Sequence, residues 1–197
     1  MREILIGASS EAEPSRGPYM RMYSGLRFWP FSPRTEDMCI EDVAHHLAMQ
    51  VRFNGAVKDH YSVAEHCVIG SYLVRPEDAF EFLMHDAAEA WLGDLIRPLK
   101  HDTVLGDEYK KIEESVERQV RQKWGLNEIT PSNVKRVDDI MCELEKKQVY
   151  RWCEVYYRTP PVRLQFWSWR EAEWKFLARF YELAPRLHEL DPEEIPL

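Results

Sequence analysis

Residues 77–92, EDAFEFLMHDAAEAWL, are apolar on several sides, and this segment most constrains the fold. A helix with apolar residues on more than one face belongs at the centre, wrapped by other elements. Pro76 fits its first turn and Gly93 closes it. Its middle carries an adjacent pair, His85-Asp86, bracketed by His66 in YSVAEHC and by Asp138 in VKRVDDIM. Four potential ligands on separate pieces of chain require those pieces to converge.

The rest of the chain also reads as helical. Gly is scarce, at 8 of 197 residues, while Leu, Glu, Ala, Arg and Lys are plentiful, and this favours helices over a sheet-rich fold. One helix starts near Ile40 and runs through EDVAHHLAMQVRF, with Val43, Leu47 and Val51 as a buried stripe, and Asn54-Gly55 stops it. Ser62 and Glu65 form a capping box before VAEHCVIGSYLV, which Arg75-Pro76 ends. Residues 94–100 leave the central helix as a loop. A polar helix from about Gly106 to Trp124 turns Tyr109, Ile112, Val116 and Val120 inward and stops at Gly125. Pro131-Ser132 opens SNVKRVDDIMCELEKKQVYRWC, and Pro160-Pro161 ends the segment after it. The last helix, SWREAEWKFLARFYELAPRL, carries Ala172, Phe176 and Phe180 at a four-residue step and stops near Pro185. Arg21, Tyr23, Arg27 and Phe28 alternate on a short hairpin around Ser24-Gly25. The expectation is an all-α fold: a loose arm over residues 1–18, then a single helical domain over 19–197, with a short N-terminal β-hairpin.

Composition narrows the class. A formal net charge of −8 argues against a general nucleic-acid surface. Cys39, Cys67, Cys142 and Cys153 contain no C-x-x-C pair, so neither a zinc knuckle nor a disulfide framework is indicated. The N-terminus is a poor signal peptide, and no apolar stretch approaches the roughly 20 residues that span a bilayer. The chain reads as cytoplasmic, with no membrane partner.

His and Asp together suit borderline divalent ions. Adjacent His85 and Asp86 on one helix point about 100° apart, so they reach one ion only if other helices complete its shell. His66 and Asp138, on two further helices, supply that geometry, although Asp139 competes with Asp138 for the assignment. Glu89 falls on roughly the face of Asp86. Asp94 sits just beyond a helix C-terminus, where the macrodipole disfavours a carboxylate, and this hints at function over stability.

The run HDAAEAWLGDLIRPLK closely resembles the signature of the HD-domain phosphohydrolase superfamily, and its nucleotide-acting branch in particular. YSVAEHC resembles that branch's upstream motif and VKRVDDIMCELEK its downstream helix; IEDVAHHLAMQVRFNG and FLARFYEL look like phage and prophage members. The resemblance spans about Met22 to Leu183. It implies one divalent metal (Mn, Co, Fe, Ni, Zn or Mg) held by His66, His85, Asp86 and Asp138. It favours Asp138 over Asp139 because Glu145 stands at the matching seven-residue distance. It makes Glu89 and Asp94 the catalytic pair, Glu89 handling the water and Asp94 the leaving oxygen. Arg52 and Phe53 match an Arg-aromatic pair that contacts sugar or phosphate and stacks on the base, and Lys100 is a candidate phosphate ligand. Val137 and Asp139 depart from the family pattern, where a small residue precedes the ligand and a neutral one comes after it.

The implied activity is a metal-activated water attacking the phosphate of a deoxynucleoside monophosphate, as in 5'-deoxynucleotidases. Alternatively it attacks the α-phosphate of a deoxynucleoside triphosphate, as in phage-type, dATP-type triphosphohydrolases. The resemblance also implies a homo-oligomer, a dimer or a hexamer. A nucleotide-binding sensor or scaffold with a non-turnover metal site is the rival class. Trp167, Trp169 and Trp174 are read as packing residues; one of His45 and His46 faces the interior; His60, His101 and His188 have no evident partner.

Overall fold

The computed structural model describes residues 16–151 and 162–184. Among them the fold is all-α apart from one small hairpin. Strands β1 (Met20–Arg21) and β2 (Arg27–Phe28) pair antiparallel, Met20 opposite Phe28, around the positive-φ Gly25. Eight helices come next in chain order: α1 (Ile40–Met49), α2 (Val63–Ser71), α3 (Ala79–Met84), α4 (Glu89–Leu92), α5 (Arg97–His101), α6 (Val104–Trp124), α7 (Ser132–Val149) and α8 (Trp169–Leu183). Helices α1, α2, α3 and α8 pack on one another, α4 rests on α1, α5 on α6, and α7 on α2. No helix among the described residues is long and apolar enough to cross a membrane.

The core obeys the apolar spacings. Val43 and Leu47 of α1, Val116 and Val120 of α6, and Ala172, Phe176 and Phe180 of α8 are all buried. Gly70 allows α3 to come close to α2: a Cβ there would meet the Phe82 ring at 1.9 Å. This close approach brings the element carrying His66 beside the one leading to His85.

Seven expectations need correction. The first helix stops at Met49 rather than at Asn54-Gly55. Val51 instead forms an antiparallel bridge with Ser62, and Arg52 N donates to Tyr61 O at 2.9 Å. Contacts with the chain before α2 thus replace the last helical turn, and Phe53 and Asn54 both take positive φ. Helix α2 likewise ends at Ser71, before Arg75-Pro76.

The central helix is not continuous. Pro76–Asp78 form a 3-10 turn, α3 ends at Met84, and α4 begins only at Glu89. Between them the chain tightens into i→i+3 bonds, Ala87 N to Met84 O at 3.0 Å and Glu89 N to Asp86 O at 3.0 Å. The break falls on His85-Asp86, in the i→i+3 geometry that recurs at strained or functional places in helices.

The exit from α4 is not a plain loop, since Arg97–His101 form α5 with Pro98 in its first turn. The capping box at Ser62 is half formed. The Ser62 hydroxyl accepts from Glu65 N at 3.0 Å, but the buried Glu65 carboxylate turns away and accepts from the backbone N–H groups of Gln165, Phe166 and Trp167 at 2.8, 2.9 and 2.8 Å. That carboxylate straps the segment leading into α8 onto α2.

The arm is anchored at its end by Arg16, which is buried in an ion pair with Asp37. Trp174 is 65% exposed and is no packing residue, whereas Trp167 and Trp169 pack against the core. His60 has a partner, Trp167 O, at 3.1 Å. The expectations for residues 1–15, Cys153, Pro160-Pro161, Pro185 and His188 lie outside the described residues.

Candidate metal centre

His66 projects from the middle of α2 and is wholly buried. Its Nδ1 lies 2.6 Å from Glu145 Oε1, on α7. Burial opposes the charged form of Glu145, but His66 and Arg52 outweigh it and hold the carboxyl at about 2. Glu145 is therefore an ionised acceptor, and His66 Nδ1 carries the hydrogen that it receives. His85 sits in the tightened turn after α3, its Nδ1 2.7 Å from Phe82 O. A carbonyl can only accept, so His85 Nδ1 donates as well. In its neutral form each ring is thereby set with an Nε2 lone pair pointing the other way.

Those two Nε2 atoms face each other across two carboxylates. His66 Nε2 is 3.2 Å from Asp138 Oδ1 and 3.9 Å from Asp86 Oδ2. His85 Nε2 is 3.1 Å from Asp86 Oδ1 and 3.8 Å from Asp138 Oδ1. Both Nε2 atoms are buried, and neither has a hydrogen-bond partner of acceptable geometry. Ligand atoms of His66, His85 and Asp138 all fall within 4.8 Å of one another. Two buried ring nitrogens without partners, oriented by their opposite nitrogens and faced by carboxylates, fit a divalent ion. Asp138 carries these contacts, while Asp139, one residue on, is exposed at the edge of the same cleft.

The electrostatics fit a cation at this place. Burial disfavours a charged His85, but Asp86 and Asp138 outweigh it and lift the ring's pKa well above its ordinary value. Burial likewise opposes ionised Asp138, yet the two imidazoles pull its carboxyl far below the usual range. The site thus draws positive charge to these side chains, a proton when no metal is bound.

The centre opens into a cleft of about 510 Å³. Arg52, Phe53, Asp86, Glu89, Asp94 and Lys100 all line it, so every remaining candidate catalytic or substrate-binding residue lies on one cavity. Glu89 is half-buried, and its Oε2 atom is buried without a partner; desolvation first, and then Asp86 and Asp94, raise its pKa well above the carboxylate range. Asp94 stands exposed beyond Gly93. Arg52 is fixed from below, with Nε 3.1 Å from Glu145 Oε2 and Nη1 3.6 Å from Asp86 Oδ2. The Phe53 ring lies 5.5 Å from that of Tyr150. Lys100 is engaged by Glu113 at 2.7 Å, so its ammonium reaches the cleft already paired.

Two comparisons locate the chain among known proteins. It is 38% identical over 131 residues to the uncharacterized protein YfdR of Escherichia coli (strain K12), covering 66% of this chain and 72% of that protein. It is 33% identical over 144 residues to the uncharacterized protein RCAP_rcc00048 of Rhodobacter capsulatus, again covering 66% of this chain and 72% of that protein. The chain belongs to the family of these two proteins. No protein-family model matches it.

Three residues of the site escaped the sequence reading. Glu145 entered it only as a spacing marker, but seven residues from Asp138 is two helical turns, which puts both on one face of α7. Tyr61, whose hydroxyl donates to Glu145 Oε1 at 2.7 Å, gave no signal beyond being aromatic. Gln50 gave none either; its amide bonds the backbone of Glu89 and of Asp94.

Proposed function

We propose that the protein is a metal-dependent phosphohydrolase of deoxynucleotides, of the HD-domain type, hydrolysing either a monophosphate or the α-phosphate of a triphosphate. The observation that carries this reading is the pair of buried, unpartnered Nε2 atoms of His66 and His85, meeting Asp86 and Asp138 at the floor of a cleft lined by further carboxylates and cations.

His66, His85, Asp86 and Asp138 would hold the ion. A bound divalent metal supplies Lewis acidity toward a phosphate oxygen and lowers the pKa of water. The other steps belong to the chain's own side chains. Glu89 is desolvated at Oε2 and sits beside Asp86 and Asp94, so its carboxylate has the proton affinity that a base receiving a proton from water needs. Asp94 lines the same cleft, five residues on, to act beside the leaving oxygen. Arg52, oriented by Glu145, presents a guanidinium to anionic groups of the substrate, and Phe53 offers a ring to the base.

The test is product analysis on a panel of mono-, di- and triphosphates with manganese, cobalt, magnesium or zinc. Release of inorganic phosphate from monophosphates, or of tripolyphosphate from triphosphates, distinguishes the two reactions. Asp94→Asn should keep the metal and lose turnover. A wild-type protein that binds nucleotide and metal yet turns over no member of the panel would contradict the reading and favour a sensor.

A further inference from the structure

The element that carries Glu89 cannot hold it in place unaided. Helix α4 is a single turn of four residues, far too short to persist on its own. Asp94 lies beyond it, past Gly93 at φ 78°. Asp86, Glu89 and Asp94 all line the cleft, so three carboxyl groups crowd one short segment.

The hold comes from the end of α1. Gln50 Nε2 donates to Glu89 O at 2.8 Å, and Gln50 Oε1 accepts from Asp94 N at 3.2 Å. One side chain thus spans both carboxylate-bearing residues. His46, one turn earlier, reaches Ala90 O through Nδ1 at 2.6 Å and steadies the same turn. The backbone of Gln50 is itself pinned to the start of α2, where Val63 N donates to Gln50 O at 3.1 Å, three residues before His66.

The chemistry of the amide matters as much as its reach. It offers one donor side and one acceptor side, matching a carbonyl and an N–H. A lysine or arginine would pair with the neighbouring carboxylates and quench them, a glutamate could not donate to Glu89 O, and an asparagine is one methylene shorter.

We propose that Gln50 is a positioning residue that sets Glu89 and Asp94 in register with the His66 side of the metal centre. This role rests on the phosphohydrolase reading above. Its effect belongs in turnover, because Gln50 hydrogen-bonds the backbone of Glu89 and Asp94 and not the side chains that would hold the metal.

The test uses the manganese-loaded protein, wild type against Gln50→Leu and Gln50→Glu, assayed on the nucleotide panel with metal affinity and amide exchange measured in parallel. Gln50→Leu should lose kcat by about 10²-fold, the scale of a displacement near 1 Å, with KM and manganese affinity close to wild type and faster exchange at Asp94 N–H. Gln50→Glu keeps the acceptor for Asp94 and should fall between the two. A Gln50→Leu protein that turns over at the wild-type rate overturns the positioning role while leaving the activity intact. A matched loss of kcat and metal affinity also overturns it, since that marks general damage. A wild-type protein without turnover removes the phosphohydrolase reading and the positioning role together.

Discussion

His66 and His85 reach the same point from different constraints, one through an ionised carboxylate on another helix and one through a carbonyl in its own turn. Their candidacy was legible in the sequence because residue type and separation carry it. The partners that fix their tautomers were not, since a hydrogen bond to Glu145 depends on how α7 docks on α2. That partner gives a pH prediction. The Glu145 carboxyl drops from 4.5 to about 2 on folding, so its contribution to stability is complete above about 4.5 and is lost as pH falls toward 2. Glu145→Gln should be less stable than wild type at neutral pH, with the difference in denaturation midpoint shrinking across that window; a constant difference would contradict the assignment. At His85 the sign is reversed. Its pKa is raised when no metal is bound, so protons and metal compete for one lone pair, and metal affinity should climb as pH rises through that pKa, with proton release. Calorimetry in buffers of different ionisation heat measures that release, and metal uptake without it would count against His85 as a ligand.

At the scale of the element, α2 and the broken α3–α4 unit matter most. Apolar periodicity read residues 77–92 as a single helix, because a run of buried positions looks the same whether its bonds span three residues or four. What periodicity cannot see is the tightening at residues 85–88, which is visible only in the hydrogen bonds. The end of α1 was misplaced for a related reason: Val51 keeps the four-residue step but spends it on a bridge to Ser62. The contact between α2 and α3 makes a stability prediction. Gly70→Ala places a methyl on the buried Phe82 ring. The overpacking cost of about 3 kcal/mol exceeds the helix-propensity gain of about 1 kcal/mol, a net loss of about 2 kcal/mol. Chemical denaturation reads this, and an unchanged or raised midpoint would show that the helices can separate freely.

For the molecule as a whole, the all-α class and the hairpin came from composition and turn chemistry, and four scattered candidate ligands implied three converging segments. The shape of the cleft did not, because it is built by Tyr150, Cys142 and α5, whose places depend on packing. The net charge of −8 is compatible with an anionic substrate because Arg52, Arg97, Lys100 and Lys146 are gathered at this one cavity. A metal that binds only the folded chain stabilises it by mass action, about 2.7 kcal/mol at a hundredfold excess over Kd. Saturating manganese should therefore raise Tm, and a chelator should reverse the rise; His85→Ala should abolish the response. The most direct test of the metal centre is anomalous diffraction from crystals grown with manganese. One ion per chain, bonded to His66 Nε2, His85 Nε2, Asp86 and Asp138, is the expected result. A map with no ion between these four side chains, or with the ion bound elsewhere, would contradict the account.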